Sequence, residues 1–165
     1  MDIEQITRSV TSIPEAFNAF SRLLEDLRTA GLSDGNFRTR LVNGVLHDVE
    51  YLGKNHQMMC ELEIGIETPR ASFRLIQSEG REGPSVCGTY DLAKRCWEAH
   101  VIVPNGKMPS WLEPFAAIVK SASGTNVESR ALAYTQLIHA MVPLLSWSGF
   151  ERRAIASKAG QPVHL

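Results

Sequence analysis

The stretch "NHQMMCELEIGIE", Asn55 to Glu67, decides how the chain is read. His56, Met58, Cys60, Leu62, Ile64 and Ile66 share one parity, and Gln57, Met59, Glu61, Glu63 and Glu67 share the other. Successive side chains of a strand point to opposite faces, so the alternation predicts a strand with one oily face and one acidic, wetted face. Working outward, "NG" at 43–44, "GK" at 53–54, "TPR" at 68–70 and "EGREGP" at 79–84 are turn signals between short β-rich runs. No helical spacing interrupts residues 36–104, which predicts six antiparallel strands, each beside the next.

Pairing tests this prediction. A two-residue loop at Gly53 and Lys54 sets Val49 against Met58, His47 against Cys60 and Val45 against Leu62. An even loop around Thr68 to Ala71 sets Ile66 against Phe73 and Ile64 against Leu75. A four-residue loop from Asp91 to Lys94 sets Gly88 against Trp97 and Val86 against Ala99, so the indole would cover the gap at glycine. All three hairpins then present one common apolar face.

Three amphipathic segments can roof that face. Each opens on a Ser or Thr with Glu three residues later, the pattern of a capping box: Ser12 with Glu15, Ser110 with Glu113, and Thr125 with Glu128. Phe17, Phe20, Leu23, Leu24 and Leu27 keep helical spacing up to Gly31, and Pro143 is expected to kink or end the last helix. The expected fold is α+β: an N-terminal helix, an antiparallel meander of about six strands, and two C-terminal helices packed on one face of the sheet. Residues 1–150 read as a single domain and residues 151–165, which carry net positive charge, as a flexible C-terminal tail.

The composition excludes several classes. In 165 residues, 17 Lys and Arg stand against 18 Asp and Glu, and the outer sheet face is mainly acidic, so nucleic acid is not an expected partner. Apolar runs such as "HAMVPLLSW" fall far short of the ~20 residues a spanning helix needs, so no membrane is expected either. "MDIEQITRSV" carries acids and no apolar run, unlike a secretory signal. Cys60, Cys87 and Cys96 form no C-x-x-C pair, and an odd count suits a reducing compartment; the expected location is cytoplasmic.

No catalytic set emerges. Cys96, Glu98 and His100 alternate along one strand, which holds the thiol and imidazole about 13 Å apart, too far for a working pair. The five histidines show no short ligand spacing, and "EGREGP" lacks the Lys-Ser/Thr of a phosphate loop, so neither metal nor cofactor is expected. The carboxylates of Glu61 and Glu63, near Asp48, Glu50 and Glu98, are those a solvated outer face would carry anyway.

The helix-facing side is more informative. A type I′ turn at Asn43 and Gly44 places Arg40 opposite His47 and Arg38 opposite Val49, both pointing inward. Arg38, Arg40, His47, Tyr51 and Cys60 would then line a pocket in which an anionic ligand or a carboxylate pairs with the arginines. The competing arrangement is a bulge near Gly44 that shifts the first strand by one residue, turning Phe37 and Leu41 inward and both arginines out. On the outer face Met59, Ile76 and Ile102 interrupt the charge and, with Glu63, Arg74 and Glu98, suit a partner or homodimer interface. The functional expectation is a small non-catalytic protein-binding module of the adaptor, chaperone or inhibitor type, able to form a homodimer. The alternative is a small-molecule binding protein or enzyme using the pocket.

Overall fold

The computed structural model describes residues 3–32, 35–41, 44–65, 68–78, 82–122 and 126–145. Helix α1 (Ile3–Ala30) is followed by strands β1 (Asn36–Leu41), β2 (Gly44–Leu52), β3 (His56–Gly65), β4 (Arg70–Gln77), β5 (Ser85–Asp91) and β6 (Cys96–Ile102). A single 3₁₀ turn, Ser110–Leu112, then leads into α2 (Glu113–Ala122), and α3 (Val127–Leu145) follows. The six strands lie in sequence order and pair antiparallel throughout, as the turn signals predict.

The helix ends differ in detail from the capping-box prediction. α1 begins at Ile3 rather than Ser12 and keeps Pro14 inside it, so Ser12 lies within the helix rather than at its N-cap. Its other end is a Schellman cap: Gly31 takes φ +125°, its N–H donates to the Arg28 carbonyl, and the Leu32 N–H donates to the Leu27 carbonyl at 3.0 Å. The turn before α2 has Pro109 at its N-cap and no side-chain cap. At α3 the Ser129 N–H donates to Asn126 Oδ1 at 2.9 Å, so asparagine does the capping; Thr125 lies outside the described residues.

Registers are displaced from the predicted pairs, each by an even number of positions. The β2–β3 loop is Lys54 and Asn55, closed by the Gly53 N–H donating to the His56 carbonyl at 2.8 Å. Moving a two-residue loop by one position shifts the partners by two, so Val49 faces Cys60 and His47 faces Leu62. Cys60 also faces Phe73, Met58 faces Leu75, Gly88 faces Ala99 and Val86 faces Val101. Even displacements keep every side chain on its predicted face. Phe73, not Trp97, fills the space at Gly88: a Cβ there would lie 2.3 Å from the Phe73 ring.

The core forms where that face meets the helices. Ala16, Phe20, Leu23 and Leu27 of α1 and Leu137, Ile138 and Met141 of α3 are buried with Met58, Cys60, Leu62, Phe73 and Leu75 of the sheet. α1 packs on β3 and β4, α3 on β3 and β6, and α2 on β6.

Candidate functional site

The first hairpin sets the geometry of the exposed edge. Leu41 pairs with Val45, so the connection holds three residues rather than the two of a type I′ turn. An odd displacement exchanges the faces. Phe37 therefore stands opposite Val49 and Thr39 opposite His47, while Arg38 stands opposite Asp48. Arg38 lies on the outer side and ion-pairs with Glu50. Arg40 stands opposite Leu46 in the backbone register; its side chain lies outside the described residues.

The remaining pocket candidates do not meet in one cleft. Tyr51 and Cys60 are buried in the core, and burial together with the charge of Glu61 pushes the Cys60 thiol far up, away from the thiolate a nucleophile needs. His47 is half-buried, its Nδ1 3.5 Å from Thr39 Oγ1 and its ring 5.8 Å from that of Phe37. One row thus crosses the sheet as Phe37, Val49, Cys60, Phe73, Gly88 and Ala99. Val49, Cys60 and Phe73 are at most 4% exposed, whereas Phe37, at the end of the same row, is 60% exposed.

At the opposite edge a cleft of about 200 Å³ lies between β6, α2 and α3. Trp97, Phe73 and Tyr134 give it aromatic walls, and Arg130 and His100 sit at its polar rim. Trp97 stacks on Tyr134 with centroids 5.5 Å apart and planes 17° apart. Two of the polar groups here are already engaged. Arg130 Nη1 donates to Glu98 Oε1 at 2.7 Å and approaches Cys96 Sγ at 3.8 Å, and the Tyr134 hydroxyl donates to Asp26 Oδ2 at 2.8 Å. Helix residues therefore wrap this edge and leave an apolar cleft, with no free guanidinium aimed into it to seize an anion.

The six outer-face interface candidates keep their predicted side. Glu63 is exposed and paired with Arg70, Ile102 is 45% exposed, and Met59 and Arg74 are half-buried. Glu98 is held toward α3 by Arg130, and Ile76 is fully buried. Among the described residues no group of His, Cys, Asp and Glu is placed to hold a metal ion, and no helix is long and apolar enough to cross a membrane. The features missed at the sequence level are the exposure of the Phe37 ring and the bonds of Arg130 to Glu98 and of Tyr134 to Asp26. Comparisons with protein-family models, with curated proteins and with solved structures return no match.

Proposed function

We propose that this chain is a small, cytoplasmic, non-catalytic protein-binding module of the adaptor, chaperone or inhibitor type, and that it receives an extended segment of its partner along β1. The observation that carries this reading is the exposure of Phe37 at the end of a row whose middle, from Val49 to Gly88, is buried. An edge strand offers a line of unpaired N–H and C=O groups to a further strand. Phe37 and the neighbouring His47 ring add an apolar anchor on the helix-facing side. A partner strand alternating apolar and polar residues would meet Phe37 with its apolar set and lie beside Arg38 and Glu50 with its polar set. A second copy offering its own β1 satisfies the same chemistry, so homodimer formation belongs to this reading.

The test is a selection of peptides from a random library on the wild-type chain, followed by titration of the selected peptides against Phe37→Asp. The expected result is alternating sequences whose affinity falls by at least about tenfold in the variant, as removal of a buried interface anchor gives. A library that yields no binder, or binders indifferent to Phe37→Asp, overturns the proposal.

A further inference from the structure

His56 opens β3, shares the parity of the buried Met58 and Cys60, and is 7% exposed. Backbone bonds on both sides fix its place: its carbonyl accepts from the Gly53 N–H at 2.8 Å, and the Asn55 carbonyl accepts from the Ser78 N–H at 2.9 Å. Its ring meets Trp111 of the 3₁₀ turn edge to face, with centroids 4.7 Å and planes 69° apart. Trp111 meets Phe115 of α2 in the same manner at 6.2 Å. Leu112 and Phe115 belong to the core. The imidazole thus stands where the 3₁₀ turn that leads into α2 is seated on the end of the sheet.

The polar atoms of this contact are unsatisfied. His56 Nε2 and Trp111 Nε1 are both buried, and neither has a hydrogen-bond partner among the described residues. An indole N–H only donates, whereas an imidazole nitrogen accepts when bare and donates once protonated. Proton uptake by His56 therefore places a charge and a further donor beside a contact that holds no acceptor for them. A buried charge without a partner costs far more than a buried neutral polar group. Among the described residues no ion pair or hydrogen bond reaches the ring from any element packed around it. The ionisable side chains nearest on those elements are Lys54 in its own turn, Lys107 and Glu113 flanking Trp111, and His139 of α3, all exposed, and its partner on β4 is the neutral Gln77. Burial accordingly holds the His56 pKa below its ordinary value of 6.5.

We propose that the contact of His56 with Trp111 is an acid-sensitive latch: proton uptake by His56 releases residues 110–122 from the sheet while the strands remain paired. Release brings the imidazole into water, where it binds the proton more tightly than in the closed state. The latch is therefore fully held above pH 6.5, weakens as pH falls below it, and is weakest below the lowered folded value. α2 supplies Val119 and Ala122 to the wall of the cleft at β6, so release also opens that cleft. The latch uses no residue of β1 and stands independently of partner binding there.

The test is amide hydrogen exchange of the full chain, resolved peptide by peptide at about pH 7.5 and about pH 5 and corrected for the intrinsic effect of pH on exchange. The latch predicts that residues 110–122 open about tenfold more often at the lower pH, under a ceiling of about thirtyfold set by the ordinary imidazole pKa, with β3 to β5 unchanged. His56→Phe keeps a ring against Trp111 and takes up no proton, so the effect of pH on this segment should vanish. Should that variant fail to fold, as judged by circular dichroism, His56→Gln, neutral at both pH values, supplies the answer. No local change in the wild-type chain overturns the latch. The same acid opening in a folded His56 variant also overturns it, because another group would then be the sensor. A rise spread evenly over the sheet overturns it too, because acid would then be unfolding the whole chain.

Discussion

Two phenylalanines in one row of one sheet face show how differently the two sides of this molecule are finished. Phe73 sits in the middle of the sheet, 1% exposed, its ring in the space that Gly88 leaves and 5.5 Å from Trp97. Phe37 sits at the β1 end, 60% exposed, with a half-buried histidine for company. The residue type, the face and the row are the same, so the difference lies in what the helices reach. α1 packs on β3 and β4, and α2 and α3 reach β6. There Arg130 closes the strand edge from above by binding Glu98. At the β1 edge, among the described residues, Arg38 pairs with Glu50 along the outer side. One end of the row is thus packed beneath helix residues, and the other ends on an exposed aromatic ring.

The sharpest way to break that comparison is to truncate the sealed ring. Phe73→Ala removes a fully buried side chain and opens a cavity beneath Trp97 where the glycine offers nothing to refill it. The expected cost is about 3–5 kcal/mol, read as a fall in the denaturant midpoint at constant slope. A loss under about 1 kcal/mol would mean that the centre of the row is loosely packed and that burial does not distinguish the two rings.

A smaller effect comes from Cys60, which lies beside Phe73 in the same row. Its folded-state pKa is raised above the ordinary thiol value of 9.0, chiefly by burial and then by the charge of Glu61. Unfolding releases the thiol to ionise, so the stability it protects is fully present below the unfolded pKa and is lost as pH rises above it. The expected signature is a decline of about 1.4 kcal/mol per pH unit beginning near pH 9. Cys87, whose thiol burial also pushes up, adds a slope of the same sign. Cys60→Ala should flatten the alkaline limb of a stability profile measured by urea titration, although it lowers stability at neutral pH. If the slope is unchanged in Cys60→Ala, the row is wet at its centre.

Face and register were unequally legible in the sequence, and this row shows why. The two-residue period of His56 to Ile66 specifies which side each residue takes, because a slip of one residue would bury the glutamates. Register depends instead on where a turn closes, and "LGKN" can close on Gly53 and Lys54 or on Lys54 and Asn55 with similar ease. Those errors were even, and the core survived them. At the β1–β2 connection the displacement was odd, so Arg38 stands opposite Asp48 and not inward opposite Val49; the side chain of Arg40 lies outside the described residues. Phe37 was visible there only through the bulged alternative. The Arg130 clamp left no local signal, since its partner Glu98 is 32 positions away and on another element.

The smallest expected change in stability is also the most informative about function. Phe37→Ala trims an exposed ring at the edge strand and should alter folding stability by no more than about 0.5 kcal/mol. If β1 receives a partner strand as proposed, the same substitution should abolish recognition of an alternating peptide, since it removes the exposed ring at this edge. Denaturation run at several protein concentrations separates the two occupants of this edge. Stability independent of concentration, with a near-silent Phe37→Ala, fits an edge kept open for a foreign segment. A midpoint that climbs with concentration and drops in Phe37→Ala identifies a second copy as the occupant, because association stabilises only the folded form. A large loss in Phe37→Ala at every concentration breaks the comparison, for it would place Phe37 with Phe73 among the residues that hold the fold rather than those that meet a partner.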